Sequence, residues 1–359
     1  MRTKPMKTDL LRRLSEAVGV PGFEGLVADI FVEELKALGY GVEIRRDSMG
    51  NVIAHFPGTG PKVAVAAHMD EIGFIVRFVD PKDGFLRLAT VGGFDPKTLI
   101  AQRVMILGAN DDWLPGVIGT KPIHVLKEED RKKPVELDDL FVDLLGHTGM
   151  PGKMDKVREL VELGAPVALV QLPMSEGGVF CGKAMDDRVG MFVILEALPK
   201  ALENGLGCDL YIVGTTQEEV GLRGATVAAF GIAPDISVAL DVTIAGPMPG
   251  LKPEEQITEI GKGVGIAVLD KATISHPGLV MFFRKLALKE GIPYQIEVAT
   301  AGGTDVHAFQ MAGSGSAAVT LSLPCQYVHS VVEKVAETDV DAAIRLLALF
   351  LQRAGEFKL

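Results

Sequence analysis

Several short stretches of this chain place metal-ligating side chains at the ends of apolar runs. "AVAAHMDEIGF" ends such a run with His68 and sets Asp70 two positions on. In extended backbone, residues i and i+2 share a face, so Asp70 could orient the His68 imidazole. "CGKAMDDRVG" puts Asp186 and Asp187 where a long helical pattern starts, and "GTTQEEVGLRG" places Glu218 beside Glu219 just after a core strand. "SVALDVT" closes on Asp241 and "LPCQYVHS" brings His329. Each has an ordinary explanation alone: a hydrogen-bonded histidine at a strand end, acids capping a helix and meeting its dipole, a solvated turn. Together, two histidines and several carboxylates from different strand or helix ends match a two-metal hydrolytic site, with one carboxylate bridging ions roughly 3.5–4 Å apart. Oxygen and imidazole donors suit zinc, cobalt or manganese. Two adjacent glutamates can face one site only where the backbone turns; in such a site one binds metal while its neighbour stays free as general base.

The elements that must position these residues are legible from hydropathy. "KTDLLRRLSEAVG" and "GFEGLVADIFVEELKALG" carry apolar residues at three-and-four spacing and predict two amphipathic helices. "GVEIRRD", "NVIAHF" and the almost wholly apolar "KVAVAAH" follow as strands, the last suited to the middle of a sheet covered on both faces. From Gly73 to Pro166 the character changes to short strand-like runs separated by turn clusters such as "DPKDG", all-β apart from one helix, "MDKVRELVELG". After Pro166 the alternation of helix and strand returns, with helices predicted over "DDRVGMFVILEALPKALENG", "HPGLVMFFRKLALKEG" and "DVDAAIRLLALFLQRAG". The pattern predicts an α/β fold: a catalytic domain with a mixed or parallel sheet from residues 1–72 and 167–359, interrupted by a β-rich insertion, 73–166. Acids at the C-terminal ends of successive strands then lie where open α/β sheets bind ligands.

Bulk properties narrow the function. A 359-residue chain that is 48% hydrophobic and 23% charged reads as globular, with about two domains. Its 36 basic and 47 acidic side chains give a formal charge of −11, which repels nucleic acid and anionic membranes, so neither is an expected partner. The charged start lacks an apolar core of a signal peptide, and no stretch offers about 18 uninterrupted apolar residues; the expected location is cytoplasmic. Cys181, Cys208 and Cys325 show no C-x-x-C spacing and are expected as small buried residues. "GSGSAA" and "GKGVG" lack the flanking strand and helix of a dinucleotide site and read as loops. H-E-x-x-H, G-x-S-x-G and P-loop motifs are missing from the sequence.

"AAHMDEIGF", "GKAMDDRVG", "TTQEEVGLRGA", "ALDVT", "GGTD" and "YVHS", with "GVIGTKPIHVL" inside the insertion, occur in an order and spacing that resembles the tetrahedral aminopeptidase family, which includes glutamyl and deblocking aminopeptidases. The resemblance spans nearly the whole chain. It implies a mixed-sheet, zinc-peptidase-like catalytic domain flanked by helices, and an inserted PDZ-like or barrel-type dimerisation domain. The implied activity is removal of N-terminal residues from peptides, with two divalent ions, zinc or cobalt. By the same resemblance one ion is held by His68, Asp186 and Asp241, the other by Asp186, Glu219 and His329, with Asp186 bridging. Glu218 is then the general base, Asp70 orients His68, and the loop carrying Gly302, Gly303, Thr304 and Asp305 lines the substrate side. A cis peptide between Asp186 and Asp187 and a homododecamer built from dimers are further implications. The chain departs from the family pattern at Gln326, commonly arginine, and at Val306, commonly alanine; both are expected near the substrate.

Two other functions fit parts of the pattern. Paired carboxylates can also cleave glycosidic bonds, but 6% aromatic residues and Trp113 as the single tryptophan leave few rings on which sugars could stack. A non-catalytic assembly protein with a structural metal would have a closed coordination sphere and no use for a free glutamate.

Overall fold

A computed structural model describes residues 8–358. Four parallel strands form the centre of a mixed sheet, in the spatial order Asp209–Thr215, Lys62–His68, Ile236–Gly246, Ala317–Gln326. Antiparallel strands extend it on both sides: Val52–Phe56 and Glu43–Arg46 beyond Asp209–Thr215, and Glu333–Ala336, Val179–Gly182 and Met174–Glu176 beyond Ala317–Gln326. Alternation along the apolar run after Lys62 divides its side chains between two cores, as period-2 geometry requires. Val63, Val65 and Ala67 join the larger core with the helices Thr8–Glu16, Gly25–Ala37, Met185–Asn204, Pro277–Glu290 and Glu337–Arg353. Ala64 and Ala66 face the other way, beneath the helix Arg223–Ile232. A strand buried on both faces is what the unbroken apolar run predicts.

Between His68 and the helix at Met185 the chain closes a six-stranded barrel around its own apolar core, which includes Phe74, Ile106 and Val142. Its strands are Gly73–Val79, Leu86–Val91, Leu140–Leu144, Trp113–Thr120, Arg103–Leu107 and Pro166–Val170, in spatial order. The last strand runs past Pro166, where the sequence pattern set the end of the insertion. A short apolar run looks the same in a barrel as in an open sheet, and only its pairing with Gly73–Val79 and Arg103–Leu107 shows where it belongs. The predicted helix of the insertion shrinks to one turn, Val157–Leu160, entered through a 3₁₀ turn at Met154–Lys156. Cys208 and Cys325 are buried as expected, whereas Cys181 is half-exposed. Among the described residues, no helix is long and apolar enough to cross a membrane.

Candidate metal centre

The chemistry-bearing residues converge at the C-terminal ends of the parallel strands. His68 ends its strand opposite Thr215, the last residue of the neighbouring strand. Ala239 pairs with Ala66 on the other side, so Asp241, two residues on, stands level with His68 on the same face. After Thr215 the backbone turns through Gln217, at φ +55°, and delivers Glu218 and Glu219 beside them. The turn is what allows two adjacent acids to reach one site. Asp186 and Asp187 lie in non-helical backbone at the start of the long helix, joined by a cis peptide. Asp187 caps that helix, its Oδ1 accepting from the Gly190 N–H at 3.1 Å while Oδ2 accepts from the His68 N–H at 3.2 Å.

Two triads result. His68, Asp186 and Asp241 offer ligand atoms within 4.8 Å of one another, and so do Asp186, Glu219 and His329. Asp186 belongs to both: its Oδ1 is 2.9 Å from His68 Nε2 and its Oδ2 is 3.4 Å from His329 Nε2. His329 Nε2 also lies 3.4 Å from Glu219 Oε2, and Glu219 Oε1 is buried without a hydrogen-bond partner among the described residues.

The supporting contacts differ from the i, i+2 argument. The hydrogen-bond partner of His68 Nδ1 is the main-chain carbonyl of Asp70, at 3.1 Å, with the carboxylate at 3.6 Å. The Asp70 carboxylate accepts instead from the N–H groups of Glu218 and Glu219, both at 3.0 Å, and so shapes the turn. Glu333, which drew no attention in the sequence, accepts from the N–H of Asp186 at 3.1 Å and of His329 at 2.7 Å. Its only sequence-level signal is its position four residues after His329. His329 itself has φ +61°, a left-handed conformation that costs a non-glycine residue energy and persists where surroundings enforce it.

Burial works against every charge in the cluster. It pushes the carboxyls of Asp241 and Glu218 well above their ordinary range, with neighbouring acids adding to the effect, and raises Glu219 for the same reason. Asp186 is the exception: hydrogen bonds from His329 and His68 overcome its burial and hold it below the usual range. Burial would lower the two histidines, but Asp186 holds His68 well above its usual value, and Asp186 with Glu219 carries His329 to about 11. The nearest buried cations do not balance these acids. Lys183 is paired with Glu71, at 2.6 Å, and Arg188 donates through Nη1 to the carbonyls of Leu14 and Ala17 while its Nη2 lies 3.8 Å from the same Glu71. A buried group of carboxylates and imidazoles with no lysine or arginine in either triad is the donor set expected for divalent cations.

A cleft of about 390 Å³ opens beside the triads, lined by Glu218, Asp241, Gly302, Gly303 and Thr304 among others. Asp305, expected on the substrate side with them, is 2% exposed and bonded to Thr215 Oγ1 beneath the loop. The two departures from the family pattern also sit away from the cleft. Val306 packs with Ala239 and Ala318, and Gln326 is buried with its amide donating to the Pro247 carbonyl.

The sequence model of the M42 glutamyl aminopeptidase family matches residues 50–346. The chain belongs to this family. Among its relatives, the lysyl aminopeptidase of Pyrococcus furiosus is 37% identical over 353 residues, covering 96% of each chain. The TET aminopeptidase of the marine sediment archaeon Thaumarchaeota archaeon SCGC AB-539-E09 superposes with a TM-score of 0.91 at 35% identity, over 96% of each chain. The TET1 peptidase of Pyrococcus horikoshii, described as able to assemble into a tetrahedron or a large octahedral shell, gives 0.84 at 28% identity, over 96% of this chain and 98% of its own. Membership of M42 makes this chain a peptidase, and the fold agrees with that of its relatives.

Proposed function

We propose that the protein is a dinuclear metal-dependent aminopeptidase that removes N-terminal residues from peptides. One observation supports this reading above the others: the two oxygens of Asp186 each face a different histidine, which is the disposition of a bridging carboxylate. His68, Asp186 and Asp241 would hold one ion, and Asp186, Glu219 and His329 the other. Two divalent cations, zinc or cobalt, would act there as Lewis acids on the scissile carbonyl and on the attacking water. Glu218 is left as the proton carrier. Its carboxyl lines the cleft, and its backbone is fixed by Asp70. It accepts a proton from the attacking water and delivers it to the amine nitrogen as the C–N bond breaks. The backbone carbonyl and carboxylate of Asp70 serve His68 and the glutamate turn respectively.

The barrel, residues 73–170, is proposed to carry the dimer contact, and dimers to build a twelve-subunit particle, as the assembly described for the Pyrococcus horikoshii relative suggests. A solution mass corresponding to a monomer at micromolar concentration would remove this part of the reading.

The central test is Glu218→Gln, assayed on aminoacyl-anilides with metal content measured in parallel. Turnover should fall by roughly 10²–10⁴-fold with two ions per chain still bound. Full activity in the variant would reject Glu218 as the base; no chelator-sensitive hydrolysis by the wild-type protein would reject the metallopeptidase reading itself.

A further inference from the structure

The cleft continues beyond the triads into a pocket whose far wall carries two more acids. The strand Val264–Leu269 runs antiparallel to Ala317–Gln326 and is flanked in turn by Tyr294–Val298. The sheet curls here, and the Gln295 side chain ties back to the Glu259 carbonyl at 2.9 Å, next to the end of the strand that carries Asp241. Curling brings Glu297 across to Thr243, whose hydroxyl donates to Glu297 Oε1 at 2.6 Å. Glu297 is 5% exposed, lines the cleft, and its Oε2 has no hydrogen-bond partner among the described residues. Asp270, 9% exposed, lines the same pocket; its Oδ1 accepts from Ala272 and Thr273 N–H groups in a turn.

These two acids differ from the metal-centre acids in having no claim on the ions. No lysine or arginine is among the described residues that line the cleft. Burial pushes the Glu297 carboxyl up, the nearby hydroxyls of Ser322 and Thr243 hold it back, and Asp270 adds to the rise. A cation from outside would relieve that cost.

We propose that Glu297, with Asp270 beside it, receives the side chain of a basic N-terminal residue, lysine or arginine, from the peptide substrate. This rests on the aminopeptidase reading and specifies its substrate class. Spacing separates the side chain from the other candidate cation, the substrate's own α-ammonium. Thr243 follows Asp241 by two strand residues, roughly 6.6 Å along the same face, and its hydroxyl is the group that Glu297 Oε1 holds. The α-nitrogen is two covalent bonds from the scissile carbonyl carbon and must stay at the metal centre. A lysine or arginine side chain has the length to bridge the gap. The intervening walls are suited to its methylene stem, since Ile244, Ile257, Ala267 and Ala299 line the pocket. An acidic N-terminal residue would meet like charge with nothing to offset it.

The deciding comparison is lysine against norleucine, which share the carbon chain and differ in the ammonium. Metal-loaded wild-type protein is assayed on the anilides of lysine, arginine, norleucine, leucine and glutamate, and the ratio of kcat/KM for lysine over norleucine is followed in Glu297→Gln and Asp270→Asn. The ratio is internal to each protein, so a general loss of activity cancels. Wild type should favour lysine by about tenfold or more, the scale of one charge-assisted hydrogen bond. Glu297→Gln should bring the ratio close to one, and Asp270→Asn should lower it less. A wild-type preference for norleucine, or a ratio untouched in both variants, overturns the proposal while leaving the aminopeptidase reading intact. Should no anilide be cleaved, that reading fails, and calorimetric binding of lysinamide against norleucinamide then decides the subsite: tighter lysinamide binding, lost in Glu297→Gln, upholds it, and equal binding ends it.

Discussion

Glu333 holds the two halves of the candidate metal centre in register and belongs to neither triad. Its carboxylate receives the N–H of Asp186, at the head of a helix, and the N–H of His329, in a loop that follows a different strand. Removing it leaves two buried N–H groups unpaired and frees His329 from the left-handed conformation at φ +61°. Glu333→Ala should therefore weaken metal binding by about 10–100-fold, the range typical of residues that orient ligands. Titration of the apoprotein with zinc, read by calorimetry, measures this directly, and unchanged affinity would show that the loop keeps its shape unaided. Asp70 plays the matching role on the other side, since both its oxygens are committed to the Glu218 and Glu219 N–H groups.

At the scale of elements, Glu24 joins the start of the second helix to the turn that presents the paired glutamates. Its Oε1 accepts from Gly22 N–H at 2.8 Å and from Gln217 N–H at 3.1 Å, and burial, assisted by the charge of Asp70, raises its carboxyl to about 7. For an acid raised on folding, the folded state binds the proton more tightly, so its contribution to stability is complete below the unfolded value and lost as pH climbs to about 7. Glu24→Gln removes that dependence. The difference in Tm, variant minus wild type, should rise between pH 4.5 and 7 and level off above; a flat difference would show that Glu24 stays charged in the folded chain. The sequence displayed the strands, the helices and the acids at strand ends because these follow from local periodicity. It did not display Glu24 or Glu333, whose partners are far along the chain or are main-chain groups that carry no side-chain signature. Positive φ at Ala184, Gln217 and His329 was equally silent, because glycine is the usual marker of that geometry and none stands at those positions. The closing barrel strand Pro166–Val170 was not read from the sequence, because the partners that assign it to the barrel lie far back along the chain.

At the scale of the molecule, the candidate centre gathers side chains from the ends of several strands, and it reaches into the barrel. Val331, two residues after His329, is buried in the barrel core, so the loop bearing that histidine is anchored in the second body of the structure. Cations placed among acids that burial disfavours should stabilise the whole fold by linkage: at a free metal concentration a hundredfold above Kd, one site contributes about 2.7 kcal/mol. Chelation should accordingly lower Tm, and zinc or cobalt should restore it. The two-triad arrangement makes the mutants unequal. His329→Ala removes a ligand from one triad and should forfeit part of the metal-dependent rise in Tm, whereas Asp186→Ala removes a ligand from both and should forfeit nearly all of it. Glu218→Gln, outside both triads, should keep the full rise even as turnover is lost. Equal and complete losses for His329→Ala and Asp186→Ala would mean that the two triads do not fill independently, and equal partial losses that Asp186 does not bridge them.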